Sequence, residues 1–174
     1  MQALHFILTA LFTLVVIAFL LRVLMPLVRA DFRNPFGEAV LKVTNPLVLP
    51  LRKVMPPGKR LDPSSVVALL IVQFVGTALL QGVAGGHLGP ESILLGGLRG
   101  LLQTVLQFYF FAVLLYALLS WFAGAAYNPA AQILSRLVEP LLAPIRRVVP
   151  PLGGLDLSAV FLLIGLQALQ ILLR

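Results

Sequence analysis

Asp62 and Asp156 stand in the same short context, Leu-Asp followed two residues further on by Ser64 and Ser158. A carboxylate beside a hydroxyl is one pairing from which acid–base chemistry is built. Arg52-Lys53 and Arg146-Arg147 precede the two aspartates by the same interval. Adjacent cations of this kind bind phosphate, and a guanidinium offers it a forked pair of donors. His5 and His87 are the only histidines and cysteine is absent. Two scattered imidazoles without thiolates or a carboxylate cluster make no zinc or haem site, and the missing cysteine excludes disulfides and a thiolate nucleophile. No nucleophile, base and orienting group stand together, and no glycine loop has P-loop or dinucleotide spacing. The cations are expected either to do no more than hold their segment on the cytoplasmic side or to dock lipid phosphate or a partner, with neither enzymatic activity nor a cofactor. Each aspartate also sits where a helix should begin, with Pro63 following Asp62. Helix capping is therefore the expected role of both, and an ion pair with the arginines of the same segment a lesser one.

These residues are set in a chain of unusual composition. Of its 174 residues 60% are apolar and 11% charged, and the mean hydropathy is +1.03. Soluble domains carry roughly a quarter charged residues, so this is expected to be a membrane protein. Against a bilayer the net charge of +7 points to an anionic lipid surface and not to direct contact with nucleic acid.

Runs free of charge give four all-α spans, at about 4–28, 62–84, 99–124 and 156–173. Leu27-Val28-Arg29-Ala30 resembles a signal-peptidase site, but the apolar run is too long for a signal segment and no basic stretch precedes it, so a retained span is expected. Tyr127-Asn128-Pro129 breaks the third run, because the residue before a proline is pushed out of the helical region. Residues 85–98, rich in glycine, are expected to form an external loop, and Gly96-Gly97-Leu98-Arg99-Gly100 a flexible turn into the third span.

Sliding the chain on itself by 94 residues aligns Asn34-Pro35 with Asn128-Pro129, Pro46 with Pro140, Pro50 with Pro144, Arg52 with Arg146, Pro56 with Pro150, Asp62 with Asp156 and Gln73 with Gln167. The matches fall on polar and proline positions, where apolar composition cannot inflate them. Two tandem repeats, 1–84 and 99–174, follow. An even number of spans in each makes them parallel. Ten cations lie on the side of the proline segments (Arg29, Arg33, Lys42, Arg52, Lys53, Lys59, Arg60, Arg136, Arg146, Arg147), against Arg99 and Arg174 on the other. This places both proline segments in the cytoplasm and both termini outside.

Within each repeat, Ala39, Val40, Val43 and Leu47, and Ile133, Leu134, Leu137, Val138 and Leu141, recur at helical spacing, with Glu38–Lys42 and Gln132–Arg136 on the opposite face. Each stretch is expected to be a short helix lying on the membrane surface. The prolines four apart should end it and hold the chain stiff and extended, keeping Arg52, Lys53, Arg146 and Arg147 at headgroup depth. Arg22, inside the first span, is expected to snorkel. Gln73 and Gln167, with other glutamines and threonines of the spans, are expected to bond helix to helix, and the equivalent pair could face each other at a pseudosymmetric midline. Trp121 and Tyr127 suit an interfacial belt.

The pattern of Asn-Pro, prolines with Arg-Arg, Pro-Pro and Leu-Asp with Ser, together with Leu20–Met25, Asp31–Phe36 and Leu118–Phe122, resembles the YggT (YlmG) family of bacterial and plastid membrane proteins across nearly the whole chain. Gly58-Lys59-Arg60 departs from it where the second copy has the more usual Leu152-Gly153-Gly154. The resemblance implies a non-enzymatic, multi-pass inner-membrane protein. Members are linked in different lineages to division-site or nucleoid organisation, cytochrome assembly, and osmotic stress with potassium uptake. A scaffold or assembly factor binding anionic lipid, a membrane-protein partner or a second copy is the expected function; a component of an ion transport system is the alternative.

Overall fold

Proline and its neighbours decide where the helices start. In a computed structural model describing residues 2–29, 34–55, 58, 61–86, 88–121, 129–148 and 157–173, the chain forms six helices and, among these residues, no strand. They are α1 (Gln2–Leu27), α2 (Pro35–Val54), α3 (Pro63–Val83), α4 (Pro90–Trp121), α5 (Pro129–Arg146) and α6 (Leu157–Leu172). Four open on a proline, whose missing N–H costs nothing in a first turn and whose φ is already helical. Asn34 completes the start of α2: its Oδ1 accepts the Gly37 N–H at 2.8 Å. Pro56, Asn128, Pro150 and Asp156, like His87 and Tyr127, lie outside the described residues.

α1, α3 and α4 are long and apolar enough to cross a membrane. α6 is equally apolar but has 16 residues, about 24 Å at the rise of an α-helix. α1 packs on α3, and α2 lies against both; α4 packs on α6, and α5 lies against both; α3 and α4 join the two groups. Val48 of α2 and Leu142 of α5, 94 residues apart, are both 0% exposed and key their helices into the two main apolar clusters. A third cluster, with Met25, Val40, Ile133 and Leu137, closes the junction between the groups.

Several expectations are corrected. Pro46 and Pro50 do not end the surface helix but lie inside α2, and Pro140 and Pro144 inside α5. A proline leaves the carbonyl four residues back without its donor. Here those carbonyls belong to residues 42, 46, 136 and 140, all on the exposed side of the helix, where water or headgroups can bond them. Spacing the prolines by four puts both losses on one harmless face.

The inward stripe of α2 is Gly37, Val40, Thr44 and Val48, so Ala39 and Val43 face out, whereas Ile133, Leu137 and Val138 of α5 face in as expected. Residues 90–98, expected as loop, are the first turns of α4. Their glycines are packing positions and not a turn: a Cβ on Gly97 would come within 2.5 Å of the Phe74 ring, and one on Gly100 within 2.9 Å of Gln73 Nε2. Close approach of α3 and α4 offsets the low helix propensity of glycine.

Candidate functional site

Where α1, α2 and α3 meet, a guanidinium is buried. Arg22 is 2% exposed, and its Nη1 donates to Thr44 Oγ1 at 2.6 Å and Asn45 Oδ1 at 2.7 Å. Its Nε donates to Ser65 Oγ at 3.3 Å. The hydroxyls can accept because their protons are committed elsewhere: Thr44 donates to the Val40 carbonyl at 2.7 Å and Ser65 to Asp62 Oδ2 at 2.7 Å. Arg22 therefore does not snorkel. An unpaired buried charge would cost several kcal/mol, and these oxygens from two other helices supply what water would have given.

Asp62 gathers the other end of the network. Arg52, in the last turn of α2, approaches the same Oδ2 through Nε at 3.1 Å and Nη2 at 2.6 Å. The carboxylate stands at the N-cap position of α3 without a well-formed capping bond, and its close partners are Arg52 and Ser65. Burial raises the pKa of this carboxyl, and the bonds from Arg52 and Ser65 lower it by more, which holds it below its ordinary value. Its Oδ1 is buried without a partner among the described residues. Next to it, Ser64 Oγ donates to the Met55 carbonyl at 2.9 Å, tying the start of α3 to the end of α2.

The second group solves the same problem with other residues. Tyr116, Glu139 and Arg146 occupy the positions 94 residues beyond Arg22, Asn45 and Arg52. Arg146 Nη1 pairs with Glu139 Oε2 at 2.8 Å, its Nη2 donates to Tyr116 Oη at 3.0 Å, and its guanidinium carbon lies 5.9 Å from the Tyr116 ring centroid. In each group the last-turn arginine of the amphipathic helix is bound back to the bundle. The next cation, Lys53 or Arg147, is exposed beside an exposed valine, Val54 at 82% or Val148 at 81%. Between the groups, Arg136 Nη1 donates to the carbonyl of Arg29, a residue at φ 54.

At the other end, Arg99 Nε and Gln103 Nε2 donate to the Leu173 carbonyl at 2.7 and 3.3 Å, closing α6. Gln73 is buried while Gln167 is exposed, so the equivalent glutamines do not meet at a midline. Gln73 instead lines a cavity of about 380 Å³ between α1, α3 and α4, with Thr9, Gln81 and Gln103. No cluster of His, Cys, Asp or Glu able to hold a metal occurs among the described residues.

Sequence reasoning missed the partners of Arg22. Thr44, Asn45 and Ser65 were legible as polar positions near the repeat motif, but nothing in their spacing to residue 22 marks a contact across three helices.

Apolar helices long enough to cross a membrane, bridged by amphipathic helices pinned through arginine, define the class: an all-helical protein of membrane type with its polar chemistry at helix junctions. The chain belongs to the CCB3/YggT family, whose family model matches residues 1–83 and 95–174. It is 36% identical over 169 residues to an uncharacterized protein of Pseudomonas aeruginosa, covering 96% of this chain and 86% of the relative. It is 34% identical over 170 residues to the uncharacterized protein YggT of Escherichia coli, covering 98% and 88%. No solved structure matches the chain.

Proposed function

We propose that the chain is a four-span inner-membrane protein of two tandem parallel repeats, α1–α3 and α4–α6, with α2 and α5 on the cytoplasmic face and both termini outside. It acts as a non-enzymatic scaffold or assembly factor, docking anionic headgroups or a membrane-protein partner on these two helices. The family model matching in two stretches and the like packing of α1–α3 and α4–α6 support the repeat. α6 crosses with little tilt, since its 16 residues lie at the short end of what a span requires. The ten-to-two distribution of cations supports the orientation.

The observation that carries the docking reading is the division of labour within each cationic pair. Arg52, through Asp62, and Arg146, through Tyr116, fix the end of the helix to the bundle, while Lys53 and Arg147 project beside exposed valines. A cation next to an apolar side chain suits the headgroup boundary, where each contributes about 1 kcal/mol on an anionic leaflet.

Reporter fusions at residues 55 and 149 test the orientation, and both should report cytoplasm. Crosslinking from Lys53 and Arg147 in cells should capture anionic lipid together with a recurrent membrane protein. Charge reversal at both positions should abolish that capture without unfolding the chain. Unchanged capture, or either fusion reporting the outside, defeats the reading.

A component of a potassium transport or osmotic-stress system is the second reading, favoured by the uncharged glutamine and threonine lining of the cavity between α1, α3 and α4. Potassium flux in reconstituted vesicles, lost on substitution of Gln73, would establish it over the first.

A further inference from the structure

The polar cavity does not end among its glutamines. It shares Thr13, Thr104 and Gln107 with an apolar groove of about 500 Å³ that runs between α1, α4 and α5 past Ile17, Phe108, Phe111 and Leu115. A glutamine-lined chamber therefore borders, across these three side chains, a slot of the size and character of small-molecule sites. We propose that this crevice binds a single-chain amphiphile with an uncharged, hydroxyl-bearing head, of the monoacylglycerol class.

Two amide oxygens set the head chemistry. Gln73 is 2% exposed and gives its Nε2 to Thr77 Oγ1 at 3.3 Å, but its Oε1 is buried without a partner. Gln81 gives its Nε2 to the Ser92 carbonyl at 3.4 Å, and its Oε1 is likewise unpartnered. Both vacant groups are acceptors, so the ligand must donate, and a buried acceptor left unmade is costly. No Asp, Glu, Lys or Arg lines either cavity and His5 is the one titratable side chain on their walls, so a charged headgroup would find no permanent counterion.

The groove sets the tail. It is walled by aliphatic and aromatic side chains of α1, α4 and α5, with Phe36 of α2, and reaches Ile133 and Leu137 of α5. An ion path has no use for such an extension, whereas an acyl chain fills it. Gln107, exposed midway along α4, stands where the two regions join. There it meets the linkage between head and tail.

The test uses the full chain in lipid nanodiscs and a monoacylglycerol carrying a diazirine in its acyl chain, with the same chain on a phosphate head as comparison. Labelling should fall on residues 108–119 and 133–137 and be displaced by unlabelled monoacylglycerol. It should drop roughly tenfold in Gln73→Met, about what loss of one buried hydrogen bond removes. Leu115→Trp fills the groove from a side chain that is 51% exposed, and it should block labelling with helix content and melting unchanged. Equal labelling by the phosphate-headed probe, or labelling unaffected by both variants, overturns the proposal. So does an inter-chain disulfide formed by Gln107→Cys in native membranes, which assigns the crevice to a second copy.

Discussion

Arg22 Nη1 lies 2.6 Å from Thr44 Oγ1, so the nearest partner of a buried guanidinium is a threonine hydroxyl and not a carboxylate. The negative charge that balances it, Asp62, is one hydroxyl removed, through Ser65. Two arginines thus share one carboxylate, Arg52 directly at the surface and Arg22 through Ser65 inside the bundle.

Asp62→Asn removes the carboxylate and leaves Arg22 and Arg52 both uncompensated. We expect a loss of about 1 to 3 kcal/mol, less than for a wholly buried pair because the Arg52 side chain is 40% exposed. Melting in nanodiscs measures it, and Ser65→Ala should cost less, since Arg52 keeps its partner.

The same carboxylate gives a pH dependence of known sign. Its folded-state pKa is lowered by Arg52 and Ser65 against the opposing effect of burial. Its contribution is therefore fully present above the unfolded-state value of about 4 and is lost as pH falls through the folded-state value below it. The stability gap between the natural chain and Asp62→Asn should stay constant from neutrality to about pH 5 and close in acid below that. A gap that widened in acid would contradict the assignment.

The two arginine junctions should be partly exchangeable. Arg22→Tyr with Asn45→Glu writes the residues of the second group, Tyr116 and Glu139, around Arg52. Each single change should destabilise, and the pair should recover about 1 to 2 kcal/mol of the combined loss, the scale of coupling between contacting residues. A double-mutant cycle reads this directly, and strict additivity would show that the two junctions are not equivalent.

Gly97 and Gly165 form a matched contrast. A Cβ on Gly97 meets the Phe74 ring at 2.5 Å, whereas one on Gly165 meets nothing within 4 Å. Gly97→Ala should cost about 1 to 3 kcal/mol through the forced shift of a packed ring, and Gly165→Ala should be neutral or stabilise by up to about 1 kcal/mol.

Legibility in the sequence followed the range of the interactions. Asn34-Pro35 and Asp62-Pro63 mark helix starts because the rules of the first turn are local, and α2 and α3 begin there. Asp62 was visible as a start signal, but its pairing with Arg52 depends on how α2 ends beside α3. Prolines 46 and 50 read as breakers because propensity takes no account of which face they occupy; on the exposed face of a packed helix the defect is tolerated. The glycines at 96, 97 and 100 looked like a loop for the same reason, since only a neighbouring helix at close range reveals what a missing side chain is for. Arg22 was the least legible, because its oxygen partners lie 22 to 43 residues away on two other helices.

The bond from Arg136 to the Arg29 carbonyl spans 107 residues of chain. Arg136 is made 107 residues after Arg29, so this contact at the exit of α1 cannot form before α5 has been synthesised. The packing of α1 on α3 is complete without this bond, whereas the attachment of the α1 exit to the other group has to be supplied from α5.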